Sequence, residues 1–296
     1  VPEDRRSGRR GGRGRAADAA GPAAPGGRDR RDPGRSRPRS RADRNRRVFG
    51  QNFLVDSRAV HRFVDVAAPG ADDLVLEVGP GEGRITRAVS RKCRRVIAYE
   101  IDGRIAGRLR ESLGSDSGIN VVNRDFLKSQ PPREPFSVVG NIPFSATSKI
   151  IDWCLEARSL RSATFITQLE YARKRTGDYG RWSRLTVATW PDFRWGIADR
   201  IPRHKFRPVP KVDAGVMRIE RRGEPLLPRS LRGDYLAMVD AGFTGKGGSL
   251  HASLRRMHRT ARVNAAFREA RLDPDTVVAF VHPDQWITLF RVLHDA

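Results

Sequence analysis

Sulfur is scarce in this chain: two cysteines and three methionines among 296 residues. Cys93 and Cys154 have no histidine or further cysteine at metal-ligand spacing, and two thiols do not build a disulfide framework. No metal site is therefore expected, and a reducing cytoplasm is the default compartment. Long apolar runs are missing as well. None approaches the roughly 20 residues of a membrane span, and the first residues lack the apolar segment of a secretory signal. Acids are few beside bases, with 34 Asp and Glu against 57 Lys and Arg, a formal charge of +23. That balance disfavours basic partners and points to a polyanion, nucleic acid ahead of a membrane surface.

Residues 1–45 lack large aliphatics apart from Val1 and consist almost wholly of Arg, Gly, Ala, Asp, Pro and Ser. Such a segment cannot bury enough apolar surface to offset its ordering entropy, so it is expected to stay disordered. It either adds non-specific attraction to phosphates or is a passive product of composition.

From Phe49 the texture changes. "DLVLEV" (73–78), "RVIAYE" (95–100), "INVVNRD" (119–125) and "FSVVGNIPF" (136–144) each begin as short apolar, β-branched runs, and Ile85–Lys92 and Ile101–Leu113 between them read as helices. Strands alternating with helices predict a mainly parallel sheet covered on both faces, an α/β fold of Rossmann type. Ligands of such sheets bind at the carboxyl ends of the strands. Residues 46–220 are expected to form this unit. After a linker at Arg221–Pro228, residues 221–296 read as a small helical C-terminal domain carrying the basic residues Arg255, Arg256, His258 and Arg259.

The chemistry collects at the strand ends. The first run ends in "EVGPGEGRIT", where Glu77 precedes Gly79, Gly81 and Gly83. Glycines there let the backbone turn sharply and approach a ligand. The spacing departs from the G-x-G-x-x-G of a dinucleotide site and resembles the S-adenosylmethionine loop of class I methyltransferases. Glu100 ends the second run about 20 residues later, where a carboxylate can accept from both ribose hydroxyls. Asp125 ends the third, placed to accept from an adenine amino group.

The fourth run ends in Asn141-Ile142-Pro143-Phe144. An Asn side-chain oxygen and the Ile142 carbonyl can both accept from an exocyclic amine and orient it. Pro143 fixes the intervening backbone, and Phe144 offers a face on which a flipped base can stack. The box resembles that of adenine-N6 methyltransferases. "FGQNFLVD" (49–56) upstream, with "TQLEYARK" (167–174) and "FRPVPKVDAGV" (206–216) downstream, extends the likeness. In this order, from about Asn45 to Glu220, these motifs resemble the rRNA adenine-N6 dimethyltransferase superfamily. "RNRRVFGQNFLVD" and "GDYGRWSRLTVATWPDF" are most similar to its Erm-type members, which modify 23S rRNA, rather than to the housekeeping enzymes of 16S rRNA.

The resemblance implies a site residue by residue. Gln51, Asn52 and Leu54 would cover the methionine end of S-adenosylmethionine, with Gly79 against it; Glu100 with Ile101 would hold the ribose, and Asp125 with Phe126 the adenine. Asn141 would serve both methionine and target amine, while Phe144 and Phe206 would clasp the target base. Read from the residues alone, Pro208 and Pro210 stiffen a loop presenting an exposed Phe206 ring beside Lys205, Arg207 and Lys211, which are expected with Arg255 and Arg256 to contact RNA. The implied product is N6,N6-dimethyladenine in the peptidyl-transferase loop of 23S rRNA, giving resistance to macrolides, lincosamides and streptogramin B. The implied substrate is naked rRNA or a precursor particle, and the enzyme is expected to act as a monomer with no obligate protein partner. The family's usual Tyr is Phe144 here, which keeps the stacking face and drops a hydroxyl. Two alternatives stay open: a 16S rRNA dimethyltransferase, and a non-enzymatic RNA-binding assembly factor on the same fold.

Overall fold

The computed structural model describes residues 52–114, 118–245 and 249–294. The expected tail over 1–45 and Gln51 lie outside the described residues. The described chain opens with a two-residue strand, β1 (Phe53–Leu54), and a helix, α1 (Ser57–Ala67). Asp56 caps that helix by accepting from the Ala59 backbone N–H at 2.8 Å, which satisfies one of the donors a helix start leaves open. There follow β2 (Leu74–Val78), α2 (Arg84–Ser90), β3 (Arg95–Glu100), α3 (Gly103–Leu113), β4 (Ile119–Asn123) and β5 (Phe136–Asn141). These strands fall where the apolar runs predict them. Every residue of β2 is buried, as a central parallel strand with both faces covered requires.

Beyond β5 come α4 (Thr147–Glu156), β6 (Leu160–Gln168), α5 (Leu169–Thr176), α6 (Arg184–Thr189), β7 (Phe193–Ile201), β8 (Phe206–Arg207) and β9 (Ala214–Arg221). The main sheet has seven strands in the order β4-β3-β2-β5-β6-β9-β7. Its first five strands pair in parallel, and β9 then lies antiparallel between β6 and β7. The order runs outward in opposite directions from β2 and β5, so a crevice opens between their carboxyl ends. Alternate residues feed two cores. Val75, Val96, Val139 and Ile166 pack with Phe63 of α1 on one face, and Leu76, Val138 and Phe165 pack with Ile151 of α4 on the other. A separate two-stranded ribbon pairs β1 with β8, setting Phe53 opposite Arg207 and Leu54 opposite Phe206.

The C-terminal part contains α7 (Arg232–Phe243), α8 (Leu250–Leu254), α9 (Thr260–Glu269) and α10 (Pro283–His294) around a third core holding Tyr235, Phe267, Trp286 and Phe290. The expected linker is shorter than its predicted span. Arg221 is the last residue of β9, and its guanidinium donates to the carbonyls of Leu160 (2.8 Å) and Ala157 (3.0 Å). The expected boundary also mixes: Val187 of α6 is buried in the helical core, and Tyr235 Oη donates to its carbonyl at 3.0 Å. Trp182, Trp190 and His282 pack edge to face across the same junction. No helix among the described residues is long and apolar enough to cross a membrane.

Candidate active site

The glycine turn after β2 is built on left-handed backbone. Gly79, Gly81 and Gly83 have φ of +68°, +55° and +76°, conformations that a side chain disfavours. Their surroundings differ. A Cβ on Gly81 would meet the Phe53 ring at 2.6 Å and one on Gly83 would meet Leu109 at 2.4 Å, whereas a Cβ on Gly79 would find nothing within 4 Å. The open side of Gly79 faces space that is part of all three cavities at the strand ends.

On one side lies a cavity of about 200 Å³ lined by Gly79, Glu100, Ile101, Asp125, Phe126 and Pro143, together with Tyr99 and Ser145. Glu100 is almost fully buried, and its two oxygens accept from the backbone N–H groups of Gly81 (3.3 Å) and Asp102 (3.0 Å). It ties the glycine turn to the end of β3. Burial raises its pKa, opposed by those backbone hydrogen bonds. Asp125 accepts from the Leu127 backbone N–H at 3.0 Å, which fixes its carboxylate at the rim. Phe126 is buried, tilted against Trp153 at 4.4 Å between ring centres.

On the other side lies a tight cavity of about 40 Å³ lined by Asn52, Gly79, Asn141, Ile142, Pro143, Phe144 and Phe206. Residues far apart in sequence, Asn52, Gly79, Asn141 and Phe206, therefore meet at one point. Asn141 Nδ2 donates to the Asn52 carbonyl at 2.6 Å, which commits its donor end and turns its acceptor Oδ1 the opposite way. Leu54 closes a third, smaller space with Gly79 and Asn141.

Glu77 sits behind the turn, about 1 % exposed. Burial pushes its carboxyl up to about 7, with the charge of Glu100 adding to the effect and Thr86 beside it opposing. Its Oε2 has no hydrogen-bond partner, and the side chain lies beneath the turn, outside the lining of the three cavities. Unfilled space over Gly79 and the acceptors at the ends of β3 and β5 suit a nucleoside joined to an amino acid. Among the described residues no cluster of His, Cys, Asp or Glu is placed to hold a metal ion.

Several expectations need correction. Phe206 is not an exposed ring: it is 2 % exposed, because β8 pairs with β1 and folds it into the core beneath the cavity it lines. Lys205 is not a free cation, since its ammonium is held by Asp56 at 2.6 Å. Arg207 and Lys211 are exposed on the same loop. Arg255 and Arg256 are exposed too, but they follow the short α8 in the helical part and do not line these cavities. Phe53 was missed by sequence reasoning. It lines the tight cavity and presses on Gly81, and its only signal was its place in "FGQNFLVD".

Comparison with known proteins agrees with this geometry. The family described as ribosomal RNA adenine dimethylase matches residues 42–295. The chain belongs to that family. An rRNA methyltransferase of Streptomyces thermotolerans is 61 % identical over 256 residues, 86 % of each chain. The mycinamicin-resistance protein MyrB of Micromonospora griseorubida is 36 % identical over 84 % of this chain and 79 % of its own. The crystal structure of the 23S rRNA methyltransferase ErmE superimposes with a TM-score of 0.80 at 51 % identity, covering 82 % of this chain and 99 % of that one. As a ribosomal RNA adenine dimethylase family member, the chain is an rRNA adenine-N6 methyltransferase with the class I methyltransferase fold, of a family that uses S-adenosylmethionine. The intact glycine turn and Asn-Ile-Pro-Phe box leave the non-enzymatic alternative without support.

Proposed function

We propose that this enzyme binds S-adenosylmethionine across Gly79 and dimethylates N6 of one adenine in the peptidyl-transferase loop of 23S rRNA. Dimethylation removes the N6 hydrogens and adds bulk, so a drug packed against that amine meets a clash and loses a hydrogen bond, which costs about 1–3 kcal/mol for an unsatisfied group alone. The consequence is resistance to macrolides, lincosamides and streptogramin B. The observation that carries the reading is the meeting of the two cavities at Gly79 and Pro143, with Asn141 fixed between Asn52 and the tight cavity. The names of the ErmE and MyrB relatives support the 23S target and the resistance outcome.

When bound, S-adenosylmethionine supplies a sulfonium methyl, an electrophile that a neutral amine can take up without losing a proton first. The chain's own part is placement. Glu100 and Ile101 would hold the ribose, Asp125 and Phe126 the adenine ring, and Asn52 and Leu54 the methionine end, with Glu77 beneath the glycine turn that would carry it; Gln51 is assigned to the methionine end by the resemblance. Asn141 Oδ1 and the Ile142 carbonyl accept from the target amine, aligning its lone pair and favouring the positive charge that develops on it. Pro143 holds the Ile142 carbonyl in register. Phe144, half-buried at the mouth, takes the face of the base, and Phe206 forms the wall behind it. Arg207 and Lys211 add phosphate attraction, while Arg255 and Arg256 contact more distant RNA. The same reading has the enzyme act as a monomer with no obligate protein partner, in the cytoplasm where rRNA is made. The division into a methyltransferase unit and a helical C-terminal unit belongs to the same proposal.

The test is transfer of labelled methyl groups to protein-free 23S and 16S rRNA in parallel, with primer extension to map the product. A stop at one adenine in the peptidyl-transferase loop is expected. Stops at paired adenines near the 3′ end of 16S rRNA, or no transfer to either RNA, overturn the assignment.

A further inference from the structure

Tyr179 is held in a costly backbone conformation at the surface, with its hydroxyl accepting from the Arg173 guanidinium. Its ring is 63 % exposed, and its backbone has φ +67° and ψ +17°, a left-handed conformation that is uncommon for a bulky residue. The loop is nevertheless fixed. A Cβ on Gly177 would meet the Trp182 ring at 2.3 Å, so the chain lies flat on that indole. Asp178 accepts from the Tyr179 backbone N–H at 3.0 Å and pairs with Arg173 at 2.8 Å, and the Arg173 guanidinium lies 4.9 Å from the Tyr179 ring centre. A strained, well-held ring pointing into solvent is a feature built to meet something outside the chain.

A second exposed ring stands beside it. Phe280 is 48 % exposed, Arg181 lies 5.3 Å from its ring centre, and the Trp182 backbone N–H donates to the Ala279 carbonyl at 2.8 Å. Each ring is thus accompanied by a guanidinium. The same segment packs toward α4: four residues beyond Phe144, Ser148 Oγ lies 3.3 Å from Tyr171 Oη. Arg175 covers Tyr171 and reaches Ser183 at 3.1 Å. Exposed rings interleaved with arginines, on a chain of charge +23, match unstacked bases joined by phosphates.

We propose that Tyr179 and Phe280 form a stacking platform for unpaired bases of the rRNA substrate flanking the target adenine, with Arg181 beside the intervening phosphates and Arg173, paired with Asp178, holding the Tyr179 ring in place. The proposal rests on the reading of rRNA as substrate, and it assigns roles to residues outside the pocket. Tyr179 and Phe280 are positioning residues, so their effect belongs in KM.

The test uses the full chain, a hairpin of the 23S peptidyl-transferase region with 2-aminopurine at unpaired positions, and the variants Tyr179→Ala, Phe280→Ala, the double variant and Tyr179→Phe. Stacking predicts quenching of the probe by the wild type, lost in the double variant. It also predicts KM for RNA about tenfold or more higher per ring removed. The turnover rate and cofactor affinity should stay within twofold, and the salt slope should not move, since no charge is lost. Tyr179→Phe should restore the wild-type KM. Tyr179→Gly should unfold at no lower temperature than wild type yet bind RNA as weakly as the alanine variant, a combination that a structural role does not give. Unchanged KM and quenching in the double variant, with methyl transfer intact, overturn the platform. Ring-dependent quenching without methyl transfer instead leaves the platform standing and removes the enzymatic reading.

Discussion

The two walls of the site are built on opposite principles. The wall around Gly79, Glu100 and Asp125 is anchored on the buried Glu100, and its carboxylates are already held by backbone donors, so the pocket exists before any ligand arrives. The face proposed to run from Phe144 past Tyr171 to Tyr179 is aromatic and arginine-rich, with Tyr171 and Arg175 half-buried and the Tyr179 ring exposed. A small cofactor rewards a preformed cavity, because little ordering remains to be done on binding. A large polyanion rewards exposed faces that can take bases and phosphates over a distance. Asn141 stands where the walls meet.

The sharpest challenge to this contrast is Phe206, which belongs by its loop to the open side and by its burial to the closed one. Phe206→Ala should behave as a core deletion and lower unfolding stability by about 3–5 kcal/mol in a denaturant titration. A drop below 1 kcal/mol with a large loss of RNA affinity would instead place the ring on the open wall.

Glu77 probes how fully the cofactor wall is closed. A folded-state carboxyl near 7 against an ordinary 4.5 means that the folded protein holds this proton more tightly than the unfolded chain. Its stability contribution is therefore unfavourable above that window: stability falls as pH rises from about 4.5 to 7, by about 3 kcal/mol in total. Relative to wild type, Glu77→Gln should gain stability between about pH 5 and pH 7 and level off above that, read by thermal unfolding. A pH-independent difference would show that the carboxyl is not protonated in the free enzyme.

Gly81 and Gly79 separate collision from occupancy. Both carry left-handed backbone that alanine strains, but Gly81→Ala also drives a methyl into Phe53 and should cost about 1–3 kcal/mol of stability. Gly79→Ala meets no protein atom, so it should cost less stability than Gly81→Ala and weaken cofactor binding more, as titration calorimetry with S-adenosylmethionine would report. The reverse ranking would mean that the space over Gly79 is not the cofactor's. The smallest effects fall on the open loop. Lys211→Ala should reduce the salt dependence of RNA binding by about one counterion, while Lys205→Ala should leave that slope unchanged because Asp56 already holds its ammonium.

The cofactor wall was legible in the sequence because it is local. A glycine turn following an apolar run, then Glu100, Asp125 and Asn141 each at a strand end, follow from period and punctuation alone. The open wall was less legible because it is made by contacts across long separations. Phe206 is buried by pairing with Leu54, and Lys205 is neutralised by Asp56, both about 150 positions away. The helical core likewise recruits Val187 from the far side of the expected boundary. Tyr179 carried no signal beyond its place in "GDYGRWSRLTVATWPDF", since exposure and a left-handed backbone are not written in composition.

The central claim is that Asn141 aligns the target amine at the meeting of the two walls. Its most direct test is single-turnover transfer of a labelled methyl to protein-free 23S rRNA by wild type and Asn141→Ala, with cofactor and RNA both saturating. The account predicts a rate lower by about 100- to 1000-fold, the scale seen when one preorganised polar contact to the reacting group is removed, with RNA affinity near that of wild type. A rate within threefold of wild type would contradict it.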